Sequence, residues 1–269
     1  MIHVLTVHWQ SDQWIDIQFE ALRRHMGRPY RVYAFLNGID ITLQREKFFY
    51  CSDEDIKSHA VKLNLLADMA CMAAEGPDDW LVFLDGDAFP IGDVHSYVEP
   101  RLAKFPLIAV RRDEHQGDVQ PHPCFCLTTV GFWKRIRGDW KAGFQWKTVS
   151  GSMVTDVGGN LLGQLQQAGV DWYPITRSNQ YNLHPLMFGI YGDVIYHHGA
   201  GFRIPITRMD RGHLLKRIKM HRKINYLFNR KNLERTKKAN IELSERIFAE
   251  ICSNEFFYRQ FQKIDGNEN

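Results

Sequence analysis

The sequence predicts an α/β fold, a mostly parallel, Rossmann-like central sheet flanked by helices. Three observations carry that expectation. Leu81-Val82-Phe83-Leu84 is an uninterrupted apolar run, too short for a helix and bounded by breakers, which is the signature of a strand buried on both faces. The first 90 residues alternate strand, helix, strand, helix, strand, the order that builds right-handed βαβ units. Between them Ile56, Ala60, Leu63, Ala67, Ala70 and Ala74 recur at helical spacing and form one apolar face.

Taken in order, residues 2 to 8 read as the first strand and Asp12 to Met26 as a helix stopped by Gly27, with Pro29 beyond it. Arg31 to Leu36 is a second strand, closed by the turn signal Asn37-Gly38. The long helix runs from about Asp53, capped by Ser52 or Asp53, to Ala74 before Gly76-Pro77. After the Trp80–Leu84 strand, residues 93 to 104 read as a short helix and Leu107 to Val110 as a strand. Arg111 to Pro123 reads as a loop, Cys124 to Thr129 as a strand and Phe132 to Ile136 as a short helix. A glycine-rich stretch, 150 to 163, enters a helix ending near Gly169. Val170 to Ile175 and Asp193 to His197 are the last strands. Arg208 to Lys238 is a basic helical stretch, and residues 240 to 262 a closing helix.

The net charge of +3 conceals an asymmetry. Residues 203 to 269 hold 16 Lys and Arg against 8 Asp and Glu, and residues 1 to 202 hold 18 against 23. The expected division is therefore a catalytic body, residues 1–206, and a basic helical extension, residues 207–269. The extension reads either as a helix packing its apolar stripe on the body or as a peripheral contact with an anionic membrane. Nucleic acid is not an expected partner, since no recognised module is present and the body is acidic. No apolar run approaches the ~20 residues of a membrane span. The N-terminus reads straight into a strand, and the five cysteines are odd in number and scattered, so the expected location is cytoplasmic with reduced thiols. His122-Pro-Cys124-Phe-Cys126 invites a zinc reading, but no second cysteine pair follows.

The chemistry concentrates at Asp85-Gly86-Asp87, where two carboxylates project from the carboxyl end of a central strand. In open α/β sheets ligands bind there. Paired carboxylates repel each other and favour a hard cation such as Mn²⁺ or Mg²⁺, which also holds substrate phosphates. The plainer reading is an acidic turn with Gly86 supplying the bend. No G-x-G-x-x-G or Walker A loop occurs, so bound phosphate would be held by metal and side chains. Asp156 and Asn160 read either as a polar pair gripping a ligand or, for Asp156 or Thr155, as a helix cap. His197 and His198 end a strand and point to opposite faces, so at most one of them is a ligand.

Leu84-Asp85-Gly86-Asp87-Ala-Phe-Pro-Ile-Gly92-Asp93-Val94 resembles the D-x-D segment of GT-A-fold glycosyltransferases, most closely glycosyltransferase family 8, the glycogenin and bacterial lipopolysaccharide galactosyltransferase group. His198-Gly-Ala-Gly201-Phe-Arg203-Ile204-Pro205 matches the His, Gly and Pro of that family's late H-x-x-G-x-x-K-P-W motif, with Ile204 and Ile206 at the Lys and Trp positions. Asp156-Val-Gly-Gly-Asn160 is the loose counterpart of its D-Q-D-x-x-N segment, and its Ala-x-Asp pattern on the first strand is absent. The resemblance implies a GT-A-like nucleotide-sugar domain and a Mn²⁺- or Mg²⁺-dependent transferase. The donor would be a nucleotide-diphosphate sugar, expected to be a UDP-sugar, and the acceptor a glycan or lipid-linked molecule of cell-surface polysaccharide synthesis, with retention of configuration.

The same resemblance implies Asp85, Asp87 and His198 as metal ligands, with Asp85 also able to meet the ribose. Arg203 would meet the diphosphate and Lys62 is a lesser candidate for it. Thr6, His8, Trp9 and Asn37 would line the nucleotide pocket. Asp156 would hold the donor sugar or act as base, with Asn160 beside it. A nucleotidyltransferase and a non-catalytic binding protein with a relic fold are the competing classes.

Overall fold

The computed structural model describes residues 1–115, 117–149, 151–181, 187–199 and 230–262. Arg203, the rest of the His-x-x-Gly segment beyond Gly199, and the basic stretch 208–229 lie outside the described residues. The chain begins with β1 (Ile2–Trp9), α1 (Ile15–His25), β2 (Tyr30–Asn37), the short α2 (Ile41–Gln44), β3 (Tyr50–Ser52) and α3 (His59–Ala73). It continues through β4 (Trp80–Asp85), β5 (Ala88–Pro90), α4 (Val94–Leu102), β6 (Leu107–Val110), β7 (His122–Thr129) and α5 (Val130–Ile136). A small ribbon follows, β8 (Trp146–Lys147) with β9 (Met153–Val154), then α6 (Gly159–Gln167) and β10 (Tyr173–Ile175). The last elements are β11 (Met187–Tyr191), β12 (Ile195–Gly199) and α7 (Arg230–Ser253), with a 3-10 turn at Phe257–Phe261.

Seven strands form the main sheet in the order β10-β6-β7-β4-β1-β2-β3. The pairs β1–β2, β1–β4, β2–β3 and β6–β10 are parallel, while β7 runs antiparallel to both β4 and β6. The expected mostly parallel α/β sheet is therefore present. Leu81, Val82 and Phe83 of β4 have no exposed surface, and each contributes roughly 1.5–3 kcal/mol by burial. Alternation along the strands feeds two cores. Val4, Val82 and Leu84 pack with Ile15, Leu22, Val94 and Val98. Leu5, Leu81 and Phe83 pack with Leu63, Ala67, Ala70, Trp133 and Leu161.

Several boundaries differ from the sequence expectation. Helix α3 starts at His59, not Asp53, because Ser58 caps it by accepting from Val61 N at 3.3 Å. The acidic residues before it run as connecting chain instead, tied to the sheet where Asn37 Nδ2 donates to Glu54 O at 2.7 Å. Ala60, Leu63, Ala67 and Ala70 are buried as their spacing predicts. Neither Thr155 nor Asp156 caps α6. Gly158 holds that position at φ +89°, and a Cβ there would lie 2.3 Å from Pro121 O.

A three-stranded antiparallel sheet, β11-β12-β5, leaves the main one immediately after Asp87. Its apolar face meets α1 and α7 in a third cluster containing Trp14, Phe89, Phe188, Tyr196, Ile247, Phe257 and Phe261. The C-terminal helix is thus attached where the chain leaves the Asp-Gly-Asp turn. Among the described residues no helix is long and apolar enough to cross a membrane.

Candidate functional site

The site forms because β4 and β5 are almost continuous. Asp85 ends β4 at the carboxyl edge of the sheet, and the chain passes through Gly86 and Asp87 into β5. Gly86 lies directly on the end of β1. A Cβ there would sit 2.6 Å from Val7 O and 2.9 Å from His8 Nδ1. The glycine is required by close packing against the central strand, which fixes the direction of both neighbouring carboxylates.

The third member comes from β12. That strand pairs with β5 so that His197 stands opposite Ala88. His197 Nε2 reaches 3.4 Å from Asp87 Oδ1 and 3.8 Å from Asp85 Oδ2. One ligand atom from each of Asp85, Asp87 and His197 falls within a 4.8 Å cluster. Burial lowers the pKa of His197, but Asp87 and the Cys124 thiol beside it outweigh burial and hold it well above the ordinary histidine value. Asp87 Oδ2 also accepts from Gly199 N at 2.9 Å, anchoring the end of β12.

His198, the imidazole that the resemblance placed on the metal, points the other way. Its Nδ1 meets the Tyr196 hydroxyl at 3.0 Å, and its Nε2 meets Ser244 Oγ of α7 at 2.7 Å. Its ring lies 4.6 Å from that of Trp14. Both nitrogens are engaged inside the third core, so neither is offered to a cation at the carboxylates, and His197 takes that position. His197→Ala is expected to weaken Mn²⁺ binding by more than the about 10–100-fold that loss of an outer-shell partner costs, read in a calorimetric titration. His198→Ala is expected to lower the melting temperature, since it opens a cavity under Trp14, and to leave Mn²⁺ affinity within about threefold, well short of that loss.

One neighbour escaped the sequence reading. His59, the first residue of α3, places Nε2 3.2 Å from Asp85 Oδ1. That oxygen is buried and not aligned for a hydrogen bond. The signal available in the sequence was its i, i+3 spacing from Lys62, which puts both on one helix face. His122 is also close, its ring 6.2 Å from that of His197. Burial first, then the charges of Arg112 and His197, push its pKa well down. Arg112 follows β6, pairs with Asp118 at 3.0 Å, and lies within electrostatic range of Asp156 and Cys124.

The expected nucleotide residues divide in two. Trp9 is 57% exposed at the end of β1 and lies in register with Asn37 on β2. Lys62 Nζ donates to Asn37 Oδ1 at 2.5 Å. Those three stand together at the carboxyl edge. Thr6 does not join them: it is wholly enclosed one turn of the pleat deeper, beside Leu84. His8 is also enclosed, against Gly86, with neither ring nitrogen hydrogen-bonded.

Burial lowers the His8 pKa to about 4, against weaker opposing effects of Gln18 and Asp87. The folded protein therefore keeps His8 neutral where the unfolded chain protonates. The stability this gives is complete above pH 6.5 and is lost as pH falls from 6.5 toward 4, by at most about 3 kcal/mol. Thermal melts between pH 7 and 4.5 are expected to show that loss, and a His8→Gln variant to lack this part of the slope.

Asp156 and Asn160 are not brought together as a gripping pair. Asn160 Nδ2 donates to Asp139 Oδ2 at 2.8 Å, and Asn64 of α3 donates to the other oxygen of the same carboxylate at 2.6 Å. Asn160 thus ties α6 to α3. Asp156 is exposed, and its Oδ1 accepts from Val157 N at 2.8 Å.

The convergent donor set fits a divalent ion. Two carboxylates facing one imidazole offer hard oxygen with one nitrogen, a combination that suits Mn²⁺. No family model matches the chain, and no curated protein matches it by sequence. Solved structures do match. One is the mannosyltransferase PcManGT from Pyrobaculum calidifontis in complex with GDP-Man and Mn²⁺, at 12% identity over 94% of this chain and 75% of that one, TM-score 0.46. Another is the catalytic domain of Drosophila β1,4-galactosyltransferase 7 in complex with xylobiose, at 13% identity over 73% and 69%, TM-score 0.39. A third is Staphylococcus aureus TarS in complex with UDP, at 12% identity over 52% and 50%, TM-score 0.39, so this chain spans half of that one. At such scores the likenesses say nothing of this chain's substrate.

Proposed function

We propose that the chain is a metal-dependent glycosyltransferase of GT-A type, moving a sugar from a nucleoside-diphosphate sugar to a glycan or lipid-linked acceptor. The observation that carries this reading is the convergence of Asp85, Asp87 and His197 at the carboxyl edge of β4, where an open α/β sheet binds ligands. The family 8 resemblance supports a UDP-sugar donor and retention of configuration.

Departure of a nucleoside diphosphate builds negative charge, and a divalent ion held by Asp85, Asp87 and His197 would stabilise that charge as a Lewis acid. Gly86 locks both carboxylates in direction, and the Gly199 amide orients Asp87. His59 holds Asp85 from the other side. In this reading Trp9 offers a face to the nucleoside, while His122, Arg112 and Asp156 lie toward the side that would receive the sugar and acceptor.

The test is donor turnover. Purified protein is incubated with UDP-, GDP- and CMP-sugars and with nucleoside triphosphates, with and without Mn²⁺. Metal-dependent release of a nucleoside diphosphate from one sugar donor is the expected result. Consumption of a triphosphate instead would identify a nucleotidyltransferase. Binding with no turnover, even of donor hydrolysis, would identify a non-catalytic protein.

A further inference from the structure

We propose that the outer face of α5 and α6 is a binding surface for an acidic glycan, a saccharide chain carrying regularly spaced anionic groups. This names a class for the acceptor of the transferase reading, and rests on that reading only for what is done with the glycan once bound.

Outside this face the body is acidic. From Val130 to Gly169 there are five Lys and Arg (Lys134, Arg135, Arg137, Lys141 and Lys147) against two Asp, Asp139 and Asp156. The rest of residues 1–202 holds 13 Lys and Arg against 21 Asp and Glu. All five cations are exposed. Among the described residues only Lys141 of the five forms an ion pair, with Asp139 at 3.7 Å. That carboxylate is turned inward, where Asn64 and Asn160 hold it. The excess positive charge is therefore offered to solvent.

The face is also shaped. A groove of about 600 Å³ is lined by Arg135, Ile136, Gln164, Gln167, Ala168 and Val170, with no carboxylate among them. Gln164 fixes its floor, since Nε2 donates to Arg137 O at 2.7 Å and Oε1 accepts from Asp139 N at 3.1 Å. A guanidinium such as that of Arg135 meets an anion with two N–H groups, and an amide such as that of Gln167 meets hydroxyls as donor or acceptor. Cations beside amides are the chemistry that recognises an acidic sugar.

The surface starts beside the metal centre. Trp140 O and Lys141 O accept from Gly158 N at 2.7 Å and Asn160 N at 2.9 Å, which ties Lys141 to the first turn of α6. Gly158 packs on Pro121, the residue before His122, whose ring lies 6.2 Å from that of His197. From there α6 runs nine residues, ~14 Å, to Gln167. A glycan with its reacting end at the centre would cross this face.

Other anionic partners fit less well. A membrane-binding face presents protruding apolar side chains, whereas Phe132, Trp133, Ile136, Leu161 and Leu165 of α5 and α6 are buried. Single-stranded nucleic acid stacks on exposed aromatic rings, and the three tryptophans of this segment, Trp133, Trp140 and Trp146, are enclosed.

The experiment is calorimetric titration of the full chain, without Mn²⁺ or nucleotide, with an oligogalacturonate and with a neutral maltooligosaccharide of matched length. The carboxylate centre takes no part, so this inference stands or fails apart from the transferase reading. The acidic oligomer is expected to bind and the neutral one not, with binding that weakens as salt shortens the screening length. Arg135→Gln combined with Lys141→Gln is expected to weaken binding about tenfold, a few-fold for each exposed ion contact. If the double variant does not fold, the two single variants read the same loss separately. Lys104→Gln removes an exposed cation just past α4, which packs on the other core of the sheet. It is expected to leave binding within about twofold. Equal binding of both oligomers, or of neither, would overturn the proposal. So would a double variant that binds like the unmodified chain, which would move the contact to the basic residues 208–229. A Lys104→Gln loss as large as that of the double variant would do the same, by making the attraction one of net charge. Capture by phosphatidylglycerol vesicles that the double variant loses, with no oligosaccharide bound, would make this a membrane face and overturn it too.

Discussion

Asp87→Ala is expected to abolish both metal binding and metal-dependent nucleotide binding. Asp87 supplies one oxygen to the cluster with Asp85 and His197, and no other carboxylate joins that cluster among the described residues. Loss of an outer-shell partner typically costs a metal site about 10–100-fold, and loss of a direct carboxylate ligand costs more. The effect on the fold is expected to be small. Asp87 Oδ2 accepts from Gly199 N at 2.9 Å, a bond worth about 1 kcal/mol; the contact with His197 at 3.4 Å is also lost, but the imidazole can shed its proton, and removing one of two facing carboxylates relieves repulsion. The check is a paired measurement, in which the metal-free melting temperature stays close to that of the unmodified chain while Mn²⁺ no longer raises it. A metal-free protein that unfolds would instead show that the carboxylate is structural.

Gly86→Ala is expected to give the reverse pattern, a loss of stability that takes the site with it. The added methyl carbon would lie 2.6 Å from Val7 O and 3.1 Å from His8 Cα. Both atoms belong to β1, which is hydrogen-bonded to β2 and β4 on either side, so neither can yield. Overpacking of this kind costs about 1–3 kcal/mol, which lowers the melting temperature of a chain this long by roughly 2–12 °C. Because the clash displaces the turn between Asp85 and Asp87, Mn²⁺ affinity falls as well. Calorimetric melting with and without Mn²⁺ reads both effects. A Gly86→Ala protein as stable as the original would show that the turn is not held against β1.

Much of this was legible in the sequence because it depends on short-range pattern. The apolar run ending in Asp85-Gly86-Asp87 could only be an inner strand with carboxylates at its end, and the Ala60 to Ala70 spacing could only be a helix face. What was not legible depends on pairing between distant segments. Adjacent His197 and His198 differ in the face they present, and the register of β12 on β5 decides which meets Asp87. Nothing local to the two histidines contains that information. The reversal of β7 is likewise set by its neighbours, since an apolar strand reads the same in either direction. Helix α3 begins six residues late because Ser58, not Ser52 or Asp53, finds an amide to cap. Asn160 resembled a ligand residue, yet its amide is taken by Asp139, a partner 21 positions away.

The measurement that reaches the central claim most directly is electron paramagnetic resonance of Mn²⁺ bound to the protein with a nucleoside diphosphate present. The account predicts a bound-ion spectrum with nitrogen coupling from one imidazole, lost in His197→Ala and retained in His198→Ala. A free-ion spectrum, or nitrogen coupling that persists without His197, would contradict it.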